Sequence, residues 1–313
     1  MQKTEDIVWD LNELYDSVTT DCQPLLNSID ESANDFVEKY KGNVANLSSV
    51  ELHQALKAME RLKSQFYQLS QFAHLNYSVD IQNTDVLKFV AKVDEFGSLL
   101  SNKVMFFFLE AGAVSDDCVD KWLSDSLNTN YDYLIRQTVK RNRYRLTEKE
   151  EQMINLKDLN GVDALKKLYG EHTSRYQFKL IIDGEEKTMN GTECRALRYH
   201  NDPKVRREAM ALFFDRYKQD EHIMTHLFNT IIKDFNVERS QRGYQSPIET
   251  MNINNDLPNE LVDMLHDATS KSNKLVQRYY GLKQSILGLD RMTLADIYAP
   301  MNDDLPLVDW ESA

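Results

Sequence analysis

From Leu52 to Ala73 the large apolar residues stand at steps of three and four: Leu52, Leu56, Met59, Leu62, Phe66, Leu69 and Ala73. That spacing gathers them on one face of an α-helix and on no single face of a strand. Just upstream, Ser48 and Glu51 have the N-cap and N3 spacing of a capping box, so a helix is predicted to begin there. After a break around Asp80 to Thr84 a second stripe runs through Val86, Phe89, Val90, Val93, Phe96, Leu100, Val104 and Phe107. Two long helices on a short connection predict an antiparallel hairpin, whose stripes can be buried only against further helices. Punctuation is scarce elsewhere too. Ten glycines and six prolines in 313 residues are roughly 3% and 2%, against typical usages of about 7% and 5%. The chain is predicted to be mainly α. A hydrophobic content of 42% excludes wholesale disorder, and the length predicts two or three subdomains sharing a core.

The first forty residues read as a lead-in, with Trp9-Asp10-Leu11 and Leu14-Tyr15 followed by helical spacing from Asn27 to Tyr40. Residues 1 to about 112 form an N-terminal helical subdomain in this reading. A middle segment carries Trp122, Leu127, Tyr131, Tyr133 and Leu134, then a basic run from Arg136 to Arg145. Thr147 and Glu150 form another capping box, opening a helix through Met153, Leu156, Leu165, Leu168 and Tyr169 with a break at Gly161. Between Phe178 and Met189 the period shortens to that of strands, and Asp183-Gly184 supplies the turn of a β-hairpin. Asp202-Pro203 then caps a helix through Val205, Ala209, Phe213 and Tyr217, with Leu227, Ile231 and Phe235 on the next. Arg242 to Pro247 is a loop. Pro258 is predicted to start a last helix, apolar along Leu261, Leu265, Ala268, Leu275, Tyr279, Leu282 and Ile286, stopping at Gly288. The remaining twenty-odd residues read as extended and acidic, and no repeat of fixed period is visible.

Lys and Arg total 37 against 50 Asp and Glu, a net charge of −13. Nucleic acids and anionic membranes need a cationic surface, so neither is an expected partner. The basic run lies beside Glu148, Glu150 and Glu151 and reads as a solvated, internally paired face. Cys22, Cys118 and Cys194 are far apart and odd in number, which offers neither a disulfide framework nor a zinc ribbon. No signal peptide or spanning run is apparent, so the expected location is cytoplasmic.

Of the seven histidines only His222 and His226 have metal-ligand spacing, since residues four apart share a helix face. A zincin helix needs a glutamate directly after the first histidine to take a proton from the metal-bound water, and Ile223 stands there. The inverted form needs it before the second histidine, where Thr225 stands. No catalytic or metal residue is assigned. The chain has no nucleophile elbow, phosphate loop or dinucleotide fingerprint. Glu148, Glu150 and Glu151 read as the acidic first turn of a helix. Arg242-Gly243-Tyr244 has two readings: an arginine and a phenol presented to a cleft, or a helix C-cap with the tyrosine tucked against the core.

The order of segments resembles the N-terminal half of oligoendopeptidase F, in the peptidase M3 family of zinc metallopeptidases. The resemblance runs from Trp9-Asp10-Leu11 and Leu14-Tyr15 through Leu146 to Glu151, the Asp183-Gly184 hairpin, Asp202 to Ala209 and Arg239 to Ser246. It ends with Arg278-Tyr279-Tyr280, Leu282-Lys283, Gly288-Leu289 and Tyr298-Ala299-Pro300. It implies a multi-helix channel-wall architecture that admits short unfolded peptides. It also implies a zinc ion held by a His-Glu-x-x-His helix and a further glutamate, all in a C-terminal half that lies beyond Ala313. Residues 113–190 then form the middle helical segment with the hairpin, and 191–313 the start of the peptidase domain, truncated before the zinc site. Arg242 and Tyr244 become candidates for lining the substrate channel.

The expected function is therefore the N-terminal portion of a zinc-dependent oligoendopeptidase, inactive alone and binding no zinc itself. Its expected partners are short peptides and the catalytic half. The alternatives are a helical protein that binds peptides or a partner without cutting, one chain of a split peptidase, or a metal binder using His222 and His226.

Overall fold

The computed structural model describes residues 11, 14, 15 and 22–301. Trp9, Asp10 and the acidic end from residue 302 lie outside the described residues. The chain divides into two compact units.

Among the described residues, the first unit comprises those up to Lys166 together with Val237–Tyr244. It holds α1 (Gln23–Tyr40), α2 (Ser49–Val79), α3 (Thr84–Val104), α4 (Phe106–Gly112), α5 (Asp116–Leu123), α6 (Asp132–Arg141) and α7 (Glu148–Asn160). Both capping boxes are formed. The Ser48 and Thr147 hydroxyls accept from the N–H groups of Glu51 and Glu150, whose carboxylates accept in return. The α2 stripe is buried at Leu52, Leu56, Met59, Leu62, Leu69 and Ala73, and the α3 stripe at Val86, Phe89, Val90, Val93, Leu100 and Val104. Phe66 and Phe96 are half-buried beside each other, ring centroids 6.0 Å apart. The hairpin packs on α1, and each Leu or Phe taken from water contributes about 1.5–3 kcal/mol. Trp122, fully buried, donates its indole N–H to the Leu47 carbonyl at 2.9 Å.

The second stripe differs from expectation at its end, because α3 stops at Val104 and Phe107 belongs to α4. Phe106, Phe107 and Phe108 are consecutive, and successive helical residues point about 100° apart. Just past the boundary at Met105, Phe106 and Phe107 both reach Phe36, at 6.0 and 5.4 Å between centroids. The break at Gly161 is as predicted: a Cβ there would lie 2.9 Å from the Lys157 carbonyl oxygen. Beyond it runs α8 (Val162–Ser174).

The second unit comprises Lys167–Asn236 and the residues from Gln245. Among the described residues its two strands are the only ones, β1 (Phe178–Ile182) and β2 (Glu185–Met189), antiparallel with Phe178 opposite Met189 and Ile182 opposite Glu185. Asp183 and Gly184 turn between them at φ 54° and 83°, the left-handed pair that matches hairpin twist. Then follow α9 (Gly191–Ala196), α10 (Pro203–Gln219), α11 (Glu221–Gln241), α12 (Pro247–Asn254), α13 (Asn259–Lys271) and α14 (Asn273–Ile286). Asp202 caps α10 by accepting from the Lys204 N–H at 2.8 Å. Phe178 stacks on Phe213 at 5.6 Å over a small core with Tyr176, Cys194 and Ala209.

The last predicted helix is two helices, interrupted at Ser272, and its stop at Gly288 holds, with that glycine at φ 62°. Its apolar side is not covered. α13 has no buried residue and α14 only Lys283, while Leu265, Leu275 and Leu282 are 62%, 65% and 61% exposed. Among the described residues no helix is long and apolar enough to cross a membrane.

Candidate functional site

Gly243 stands at φ 78°, a conformation that favours glycine. The Tyr244 N–H bonds to the Arg239 carbonyl at 3.1 Å and the Gly243 N–H to the Ser240 carbonyl at 3.2 Å. This pair of bonds is a Schellman close to α11. It sends Tyr244 onto Tyr144, the rings stacked 4.3 Å apart and 10° from parallel.

The same turn fixes Arg242. Its Nη1 and Nη2 donate to the two carboxylate oxygens of Glu151 at 2.6 and 2.9 Å, and its Nε to Glu238 at 2.7 Å. Nη1 also reaches the Tyr144 carbonyl at 3.3 Å. The Arg242 and Glu151 side chains are 14% and 8% exposed. Burial pushes the Glu151 carboxyl up. The Arg242 hydrogen bonds and the Leu146 N–H outweigh that and hold it below its ordinary value. Hydrogen bonds donated to Glu151 keep the guanidinium firmly charged. Both donor arms are therefore committed within the protein. The arrangement is a brace at the close of a helix.

Sequence reasoning did not anticipate two other polar clusters. At the α10–α11 junction Asp220 accepts from Tyr176 Oη at 2.5 Å, His172 Nε2 at 2.8 Å and Arg216 Nη1 at 3.0 Å. The Tyr176 hydroxyl, the His172 ring and the nearby Arg216 hold this carboxyl down at about 2. In the second cluster Arg206 and Asp296 pair at 2.8 Å with side chains 1% and 0% exposed. Burial pushes Asp296 up, yet Thr293 and Arg206 bring it down to about 2. Lys283 donates to the Ile297 carbonyl close by at 2.7 Å. Tyr176 and His172 stand 44 and 48 residues from Asp220, and Arg206 stands 90 from Asp296; the nearby signals were Arg216, four residues before Asp220, and the Thr293–Asp296 capping box.

His222 and His226 lie exposed one turn apart on α11. Among the described residues no three His, Cys, Asp or Glu side chains gather to hold a metal ion. With Ile223 and Thr225 in the positions a general base would take, this donor set does not fit a catalytic zinc.

The family model for the N-terminal region of peptidase M3, described as Oligopeptidase F, matches residues 110–178. That stretch contains Tyr144, Glu151, His172 and Tyr176. The crystal structure of oligoendopeptidase-F from Enterococcus faecium superimposes with a TM-score of 0.80 at 22% identity, over 93% of this chain and 56% of that one. The curated proteins this chain is similar to include oligoendopeptidase F homologs and oligopeptidases PepF and PepB. The oligoendopeptidase F homolog of Lactococcus lactis is 20% identical over 303 residues, 96% of this chain. Oligopeptidase PepF of Bacillus subtilis is 24% identical over 283 residues, 88% of this chain. The chain spans about half the length of these curated oligoendopeptidase F relatives, 50% and 42% respectively.

Proposed function

We propose that this chain is the N-terminal portion of a zinc-dependent oligoendopeptidase that hydrolyses short peptides, and that it forms channel wall and scaffold. The observation that carries this reading is the uncovered apolar side of α13 and α14, taken with a match to only half the relatives' length. Leu261, Met264 and Leu265 on α13 and Leu275, Tyr279, Leu282 and Ile286 on α14 recur at helical spacing and are all exposed. Exposed apolar patches of this kind mark surfaces that another segment covers. In this reading residues 191–313 begin the peptidase domain, and the catalytic half, which brings the zinc ligands, covers that side.

Arg242 and Tyr244 belong to the channel wall here. With its guanidinium held by Glu151 and Glu238, Arg242 shapes the wall and binds no reacting group. A cytoplasmic location accords with the three free cysteines.

The test is to assay residues 1–313 for cleavage of quenched fluorescent peptides, alone and joined to whatever the reading frame encodes after Ala313. The expected result is no chelator-sensitive cleavage by 1–313 alone, with activity in the joined chain carrying a His-Glu-x-x-His helix. Chelator-sensitive turnover by 1–313 alone would overturn the proposal. Peptide binding without turnover, with no such helix encoded, would favour a binding protein instead.

A further inference from the structure

A cavity of about 190 Å³ opens in the second unit between α9, α10 and the segment around Leu294–Tyr298. Its floor is buried: Cys194, Ala209 and Arg206 are each 2% exposed. The Cys194 thiol is already committed to the Ala209 carbonyl at 3.6 Å. Phe213 and Tyr298 give the cavity aromatic walls, and Arg195 and Arg198 stand with Arg206 along its lining. No carboxylate lines it. Asp296 neutralises Arg206 from behind the lining, which leaves Arg195 and Arg198 beside the cavity without an acid, an exception to the general field in a chain of net charge −13.

The arginines are held by rings and carbonyls. The Arg198 guanidinium lies 4.3 Å from the Tyr298 centroid and 5.0 Å from that of Tyr199, and one of its N–H groups reaches the Tyr199 hydroxyl at 3.2 Å. Arg195 lies 5.7 Å from the Phe213 ring, with Nε on the Gly191 carbonyl at 3.3 Å. Neither forms an ion pair among the described residues. Stacking fixes a guanidinium plane and leaves its edge donors for a planar anion.

Arg206 supplies an independent observation. Its Nη1 donates to the His200 and Asn201 carbonyls, both at 2.7 Å, and its Nη2 to Asp296 at 2.8 Å. Its Nε is buried and has no acceptor among the described residues. Native interiors rarely leave such a donor unmatched, because it has lost water without gaining a partner.

We infer that this cavity binds a carboxylate carrying a short apolar group, of the kind presented by the C-terminal residue of a peptide. The carboxylate sits on the Arg195 and Arg198 side, and the apolar group lies against Phe213 and Tyr298. The volume admits one residue-sized group. The proposed peptidase reading enters only in choosing a peptide as the source of the carboxylate. Binding is read without turnover, so the two can fail separately.

The experiment is calorimetric titration of the 313-residue chain with N-acetyl-leucine, N-acetyl-leucinamide and inorganic phosphate. The expected result is saturable one-to-one binding of N-acetyl-leucine, with the amide and phosphate each at least about tenfold weaker, since a charge-assisted pair separates acid from amide. Arg198→Gln and Arg195→Gln, checked for an unchanged thermal melt, should each weaken binding of the acid by about tenfold. Arg206 is left intact because it holds Asp296. If Arg198→Gln does not fold, Arg195→Gln carries the test alone. Absence of binding, an acid-over-amide preference below tenfold, or binding unchanged in the folded variants would overturn the inference. Phosphate binding as tightly as the acid would also overturn it, in favour of a free-anion site.

Discussion

The Arg242 guanidinium grips both carboxylate oxygens of Glu151, at 2.6 and 2.9 Å, across a sequence separation of 91 residues. A charge pair this enclosed is costly to break from one side, because the surviving charge keeps its burial and loses its partner. Arg242→Met should therefore lower unfolding free energy by about 3–5 kcal/mol, and adding Glu151→Leu should recover most of the loss. Urea titrations of the two variants decide it. If the double variant is no better than the single, the pair is not the coupled unit described here.

The carboxyls make acid a specific stress. Asp220 and Asp296 are both held down at about 2, below the ordinary 3.8. A folded-state value below the unfolded one gives stability that is fully present above the ordinary value and lost as pH falls towards the folded one. The thermal midpoint should therefore fall between about pH 4 and pH 2 and be flat above it with respect to these two groups. Asp296→Asn should lower the midpoint at neutral pH, since Arg206 loses its counterion, and give a shallower fall through the acid window. An Asp296→Asn profile parallel to the parent's would contradict this assignment.

Gly243 is a test of backbone alone. Its φ of 78° is left-handed, yet a Cβ there would meet nothing within 4 Å. Gly243→Ala should cost about 1–2 kcal/mol from conformation without any clash. Gly243→Asn should cost less, because asparagine tolerates that region better. Chemical denaturation of both variants gives the comparison. Equal losses would point to a steric cause in place of the conformational one.

The uncovered side of α13 and α14 makes an opposite kind of prediction. Leu265→Glu and Leu282→Glu should change the stability of residues 1–313 by no more than about 0.5 kcal/mol, as for surface positions. Binding of a hydrophobic dye should drop. In a chain carrying the catalytic half, the same substitutions should impair folding or activity. A large loss of stability in 1–313 itself would show that the side is covered within this chain.

What could be read from the sequence was local. The Ser48 and Thr147 capping boxes, the Asp183-Gly184 turn, the Asp202 cap and the Gly161 and Gly288 breaks each depend on residues a few positions apart. The stripes of α2 and α3 were legible because helical periodicity reports which face wants burial. Periodicity does not report whether a partner is there, and so the α13 and α14 stripe predicts a helix face that the fold leaves open. The interruption at Ser272 carries no glycine or proline to announce it. The Glu151, Asp220 and Asp296 clusters were invisible for a different reason. Their distant partners, Arg242 for Glu151, Tyr176 and His172 for Asp220 and Arg206 for Asp296, come together only through tertiary structure, and a glutamate after a capping box looks like any other in an acidic first turn. Arg242-Gly243-Tyr244 was noticed for its glycine. Its partners Glu151 and Tyr144 were not.

Val237–Tyr244 belongs with the residues up to Lys166, although Lys167–Asn236, which belong to the other unit, lie between them in the sequence. Protein synthesis runs in one direction, so Glu151 leaves the ribosome long before its arginine exists. Until Arg242 emerges, Glu151 lacks the bidentate partner that holds it in its final position. The first unit's completion waits on the chain having passed through Lys167–Asn236 of the second, and the order of assembly is written into the order of the sequence.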